Sequence, residues 1–158
     1  MPIPTYISRF LDSQNIPYQT CRHSPVYTAQ GIAQAEHISS KKIAKVVMVR
    51  INDGEMIMAV IPANYRVDLE KLARLLNRAG VRLATENEFK DLFPECEIGA
   101  MPPFGNLYNM EVWVDESLRS NSDIVFNAGT HTEAIQMSFA VFEQLVRPNI
   151  GSFGVLFH

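Results

Sequence analysis

The feature that most constrains this chain is a pair of apolar runs joined by Asn52-Asp53-Gly54. The runs are Ile43-Ala44-Lys45-Val46-Val47-Met48-Val49-Arg50-Ile51 and Met56 to Ile61. Asn, Asp and Gly tolerate the backbone conformations that tight hairpins need, so this triplet predicts a hairpin turn. Alternate residues of a strand share a face. Ile43, Lys45, Val47, Val49 and Ile51 then share one face of the first strand, and Ala44, Val46, Met48 and Arg50 share the other. The return strand is also apolar on both faces. A hairpin of this kind belongs in the middle of a sheet covered on both sides. Lys45 is the one cation on its otherwise apolar face. Lysine is almost never fully buried without a partner. Either its stem snorkels to a strand end, or its amine points into a polar cleft.

The chain has 158 residues, 47% hydrophobic and 20% charged. That suits one domain over residues 1–158 with a sizeable core. No apolar run approaches the ~18 residues of a membrane span, so no membrane partner is expected. Met1-Pro2-Ile3-Pro4-Thr5 lacks the basic and apolar regions of a secretory signal. Cys21 and Cys96 form neither CxxC nor a zinc spacing, which fits free thiols in a cytoplasmic protein. The net charge of −3 argues against tight non-specific nucleic-acid binding, but leaves room for contact with one end of a nucleic acid. His23, His37, His131 and His158 show no metal-binding spacing, so no metal and no cofactor is expected. GxGxxG, GxxxxGK[ST] and GxSxG are all missing.

Thr5 caps a first helix with Ile7, Phe10 and Leu11 on one stripe, and Pro17 ends it. Tyr18 to Cys21 reads as a short strand and His23-Ser24-Pro25 as a turn. Thr28 caps a second helix through about Glu36, weakened by Gly31. After the hairpin, Asp68 caps a helix with Leu69, Leu72, Ala73 and Leu76 inward, and Gly80 is the expected stop. Lys71, Arg74, Arg78 and Arg82 read as a solvated basic face. Val81 to Ala84 is a brief strand. Thr85-Glu86-Asn87-Glu88 is a capping box for a short helix running to about Phe93. Met110 to Asp115, Asp123 to Asn127 and Thr132 to Met137 read as three antiparallel-type strands. Ser138 caps a last helix with Phe139, Phe142, Leu145 and Val146 inward, which Pro148 stops. The tail from Asn149 has no clear period. The expected class is α+β: a mixed, mainly antiparallel β-sheet or partial barrel of roughly six to seven strands with flanking helices.

Two stretches weigh against a Lys45 that merely snorkels. Pro94 to Tyr108 has no periodicity and contains Gly99-Ala100-Met101-Pro102-Pro103-Phe104-Gly105. Its glycines and prolines fix the backbone without using it in a ladder. Such a rigid loop suits the presentation of backbone N–H groups. Ala128-Gly129-Thr130-His131 joins two strands and sets Thr130 and His131 at the mouth of the sheet. A lone histidine there is more often structural or simply exposed. Together, a cation, a set of backbone donors and a histidine fit a site for a polarised carbonyl or an anionic ligand.

The strand AKVVMVR, the G-x-x-x-P loop at Gly99 and NAGTHTEAIQMS before the final helix resemble the YbaK/prolyl-tRNA synthetase-associated editing-domain family, over about His23 to Pro148. The resemblance implies trans-editing: hydrolysis of the ester of mischarged aminoacyl-tRNA by a free-standing deacylase. The 3′ aminoacyl end is then the partner, with an aminoacyl-tRNA synthetase as a further one. By position, Lys45 matches the family's essential lysine. Gly99 and Pro103 match the loop motif. Gly129 and His131 fall in the segment bordering the amino-acid pocket. The branch acting on cysteinyl-tRNA carries a serine before the loop proline and an SGG run later. Pro102 and the GTH segment depart from both, which leaves alanyl, seryl, threonyl or another small aminoacyl group.

Lys45, Gly99 and His131 are therefore the expected catalytic residues. Ala100, Met101, Pro103, Phe104, Gly129, Thr130 and Met137 are the expected substrate contacts. A backbone N–H at Gly99 or Ala100 would meet the developing oxyanion. Lys45 would hold a phosphate or ribose hydroxyl. Met101, Phe104 and Met137 would shape the pocket. Because no protein base is evident, a non-catalytic module that binds nucleotides or the tRNA acceptor end is the alternative.

Overall fold

In the computed structural model the described residues are 5–16, 18–22 and 39–156. Among them the order is α1 (Thr5–Ser13), β1 (Gln19–Arg22), β2 (Ala44–Ile51), β3 (Met56–Pro62), β4 (Tyr65–Val67), α2 (Leu69–Leu76), β5 (Val81–Leu83) and α3 (Glu86–Phe89). There follow β6 (Val112–Asp115), β7 (Asp123–Asn127), β8 (Glu133–Ser138), α4 (Phe139–Val146), β9 (Asn149–Gly151) and β10 (Gly154–Leu156). The expected Pro17 stop, the His23 turn, the Thr28–Glu36 helix with Gly31, His37 and His158 lie outside the described residues.

The hairpin organises the sheet as its composition requires. β2 pairs antiparallel with β3, from Ala44 opposite Pro62 to Arg50 opposite Met56. Asn52 takes the turn at φ 55, a conformation asparagine tolerates. The five-stranded order β5-β2-β3-β6-β9 leaves the hairpin interior. Its two faces bury separate clusters. Val49, Ile51, Ile57, Ala59 and Ile61 pack with Leu72 and Phe153. Ala44, Met48, Met58 and Val60 join the larger core around Phe104, Phe126 and Phe142. Burying each of the larger side chains among these is worth about 1.5–3 kcal/mol.

A second sheet, β1-β8-β7, is antiparallel. It meets the first through one parallel bridge, Ile43 to Val125. The two sheets do not join into a closed barrel. Three expectations change here. β6 pairs in parallel with β3 and with β9, so it is not an antiparallel strand. Ten strands form among the described residues because Tyr65–Val67 and the tail also pair. The tail is held by Asp115, whose buried carboxylate accepts from Phe153 N (2.9 Å), Gly154 N (2.6 Å) and Ser117 N (3.2 Å). Finally, α2 ends at Asn77 in the left-handed conformation, φ 53, before Gly80 is reached. Gly80 serves a close approach instead: a Cβ there would stand 1.7 Å from Asn52 Oδ1.

The caps at Asp68, Thr85 and Ser138 are as expected, although the helix after Thr85 ends at Phe89 rather than near Phe93. Asp68 Oδ1 accepts from Glu70 N and Lys71 N, both at 3.1 Å. Thr85 and Glu88 form the capping box. Ser138 Oγ accepts from Val141 N at 3.1 Å.

Candidate active site

Glu97-Ile98-Gly99-Ala100 is a turn closed by Ala100 N–H donating to Glu97 O at 3.0 Å. Gly99 is its third residue, at φ 84, where type II turns demand a left-handed backbone. A Cβ at Gly99 would meet only His131 Cε1, at 3.7 Å. Backbone conformation, not crowding, is what calls for glycine. The second loop turns at Gly129, φ 95.

The two loops are stapled together. Glu97 N donates to Gly129 O at 2.8 Å, and Gly129 N donates to Ala100 O at 2.9 Å. The ring of His131 adds a third bond, Nε2 to Ile98 O at 2.8 Å. His131 is 6% exposed, and the Glu97 carboxylate stands 3.9 Å from the same nitrogen. A carbonyl only accepts, so Nε2 carries the hydrogen. That nitrogen is therefore spent on the turn and is no general base.

A trans peptide points its C=O and N–H in opposite directions. With Ile98 O turned to His131, the N–H of Gly99 points to the other side of the turn. It makes no hydrogen bond among the described residues. Ala100 is different, and the expectation for it is corrected: its N–H closes the turn onto Glu97 and has nothing left for an oxyanion.

Lys45 lies on β2, where the sheet is incomplete. β3 takes one edge of β2 along its length. The other edge is covered by β5 at Val49–Ile51 and by Ala84 N donating to Met48 O at 2.9 Å, and β7 bridges it at Ile43. Lys45, Val46 and Val47 lie between, half-buried in a strand whose flanks are buried. β7 runs parallel to β2, so two residues past the Ile43–Val125 bridge bring Asn127 level with Lys45. Past Asn127 the chain leaves β7 for the Gly129–His131 loop. The Lys45 ammonium donates to Ala63 O at 3.3 Å, and burial pushes its pKa below the ordinary 10.5.

The remaining expected contacts divide. Pro103 is buried in the loop. Thr130 is fully buried, its hydroxyl 3.3 Å from that of Thr132. Phe104 is fully buried, edge-on to Phe10 and Phe126. It packs the core and leaves no surface for a ligand, which corrects its expected place in the pocket wall. Met101 (5% exposed) and Met137 (3%) keep a sliver of surface. Met137 borders an open groove with Tyr18, Gln19, Asp123, Gln136 and Ser138.

Two residues escaped the sequence reading. Asn64 and Asn127 each bury a side-chain oxygen that accepts no hydrogen bond. Asn64 follows the residue that holds the Lys45 amine, and Asn127 is level with Lys45. A polar amide ending an apolar strand was the available signal for Asn127.

Residues 23–145 match the family described as the aminoacyl-tRNA editing domain. Along 148 residues the chain is 24% identical to the prolyl-tRNA editing protein ProX of Acetoanaerobium sticklandii, covering 90% of each. It is 28% identical over 104 residues to the proline–tRNA ligase of Aquifex aeolicus, covering 65% of this chain and 18% of the ligase. Among solved structures, a hypothetical protein superposes with a TM-score of 0.85 at 21% identity, covering 94% of this chain and 99% of that one. A proposed trans-editing enzyme for prolyl tRNA synthetase superposes with a TM-score of 0.79 at 20% identity, covering 94% of both.

Proposed function

Because the chain belongs to the aminoacyl-tRNA editing domain family, a family of aminoacyl-tRNA deacylases, we propose that it hydrolyses in trans the ester joining a small amino acid to the wrong tRNA. This reading rests on the stapled pair of glycine loops and on the half-buried Lys45 ammonium in the part of β2 that only β3 pairs along its length. The loops supply a rigid wall with a spare backbone donor, and β2 supplies an ammonium.

Water attacks the ester carbonyl and charge develops on its oxygen. The N–H of Gly99, its peptide held from behind by His131, would meet that charge. One such donor is typically worth ~3 kcal/mol. Lys45 would hold the ribose or neighbouring phosphate as a point charge. The ester is intrinsically labile, and the substrate's own 2′-hydroxyl would assist the water, so no strong protein base is needed. Asn127 Oδ1 would accept from the amino or hydroxyl groups of the substrate.

The kinship with a prolyl-tRNA editing protein favours tRNA of the proline system as the carrier. An apolar pocket discriminates at only ~1–3 kcal/mol per methylene, so alanyl, seryl and threonyl esters should be cleaved at graded rates. A deacylation panel of mischarged tRNAs, run with wild type and Lys45→Ala, tests the reading. Amino acid released by wild type and not by the variant supports it. Equal rates for both proteins, or no release from any charged tRNA, would remove it.

A further inference from the structure

The described cations differ in whether acids neutralise them. Arg50 and Arg82 share Glu88, Arg78 pairs with Glu55, Arg74 with Glu70 and Arg119 with Glu143. Lys41 and Lys42, like Arg9, Arg66, Lys71, Lys90 and Arg147, have no carboxylate within 4.0 Å among the described residues, but they alone are adjacent in sequence. They sit side by side on the short turn Ser40–Lys42 that leads into β2. The turn is stiff. Ser39 Oγ accepts from Lys41 N at 3.4 Å, and Lys42 N donates to Ser39 O at 2.9 Å. Asn121 Nδ2 donates to Lys41 O at 2.8 Å.

Ala63 joins this turn to the Lys45 amine. Its N–H donates to Ser40 O (3.2 Å) and Ile43 O (2.9 Å), while its C=O accepts from Lys45 Nζ. Two neighbouring lysines are thus carried on a fixed backbone at the corner where the Lys45 ammonium is held. None of the hydrogen bonds that fix the turn uses a lysine side chain.

We propose that Lys41 and Lys42 form the electrostatic dock for the phosphodiesters next to the 3′ end of the tRNA. This rests on the reading that the ester is presented to Lys45. A terminal nucleotide placed there must lead its sugar–phosphate chain past the corner. The chain as a whole, at net charge −3, offers a polyanion little general attraction. A local pair of cations supplies affinity where it also fixes register.

The test measures binding of uncharged, full-length proline tRNA by fluorescence anisotropy across a salt series, alongside deacylation of charged tRNA. Lys41→Ala/Lys42→Ala should raise Kd about tenfold at low salt. It should also flatten the log–log salt slope by about 1.4, as expected when two single-strand phosphates are no longer neutralised. In deacylation the same variant should raise KM while kcat holds. Lys41→Arg/Lys42→Arg should restore affinity. Unchanged Kd and slope in the alanine pair overturn the dock, as does a wild type that binds no tRNA at low salt. The two readings fail separately. Weakened binding in the alanine pair with no ester cleavage by wild type leaves the dock standing without the deacylase. Cleavage with an unaltered KM in the variant leaves the deacylase without the dock.

Discussion

His131 Nε2 lies 2.8 Å from the carbonyl oxygen of Ile98, so the histidine grips the peptide ahead of Gly99. Its role in the proposed reaction is to hold the Gly99 N–H in place. His131→Ala should lower kcat at least tenfold, with a stability loss of about 1 kcal/mol for the hydrogen bond. His131→Gln, whose amide can donate to the same carbonyl, should recover part of the rate. Rates and urea midpoints of the two variants check this. A kcat for His131→Ala equal to wild type would separate the histidine from the chemistry.

Gly99 and Gly105 are glycines for different reasons, and alanine should tell them apart. At Gly99 there is room for a Cβ, but φ is 84. Alanine there costs about 1–2 kcal/mol of backbone strain, or relaxes the turn and loses the donor. At Gly105 a Cβ would stand 2.5 Å from Val112 Cγ2 and 2.9 Å from Met110 O. That overpacking costs about 1–3 kcal/mol. Gly99→Ala should therefore cut kcat far more than its stability change accounts for, whereas Gly105→Ala should lose stability with kcat little changed among folded molecules. Parallel losses of kcat and stability in both variants would contradict the distinction.

The hairpin was legible because local signals agree: Asn52-Asp53-Gly54 names the turn, and apolar residues on both faces of β2 and β3 place it mid-sheet. The caps at Asp68, Thr85 and Ser138 were legible for the same reason, since each acts within three residues. Pairing direction was not. Val112–Asp115 looks the same in sequence whether its neighbour runs parallel or antiparallel, and its partners Met58 to Val60 and Asn149 to Gly151 are remote in the chain. The three-residue strands β4, β9 and β10 are too short for a period, and depend on Asp115 reaching the backbone of Phe153 and Gly154. At the site, residue types pointed to Lys45, Gly99 and His131, but not to the bond between His131 and Ile98. That bond holds the Ile98–Gly99 peptide in its orientation, and it spans 33 positions.

Glu88 closes the capping box and receives two arginines. The Arg82 hydrogen bond, then the Thr85 N–H, then Arg50 hold its carboxyl far below the ordinary 4.5, against the opposing effect of burial. A carboxylate depressed in the folded state adds stability that is present above its unfolded pKa and is lost as pH falls toward the folded value. Glu88→Gln should be less stable than wild type at neutral pH, and the gap should close steadily below pH 4.5. Urea midpoints over an acid series read this directly. A gap that stays constant down to the acid limit would mean that the charge contributes nothing.

Lys45 tests the site from the opposite direction. Burial lowers its pKa from 10.5, because the ammonium gives up water on entering the sheet. Folding thus carries a penalty while the group is protonated in both states. Between the lowered pKa and 10.5 the unfolded chain binds more protons, so stability rises with pH across that window. Lys45→Met removes the charge and keeps the volume. It should be more stable than wild type at neutral pH, by about 1 kcal/mol as is common when a strained functional residue is replaced. That advantage should shrink as pH climbs toward 10.5. Deacylation should be lost in the variant at every pH. In wild type, the contribution of the ammonium to substrate binding should decline at a pH below that of an ordinary lysine. Urea midpoints and KM between neutral pH and 10.5 measure both effects. A Lys45→Met protein that is less stable than wild type, or that still turns over charged tRNA, would show that the amine serves the fold and not the reaction.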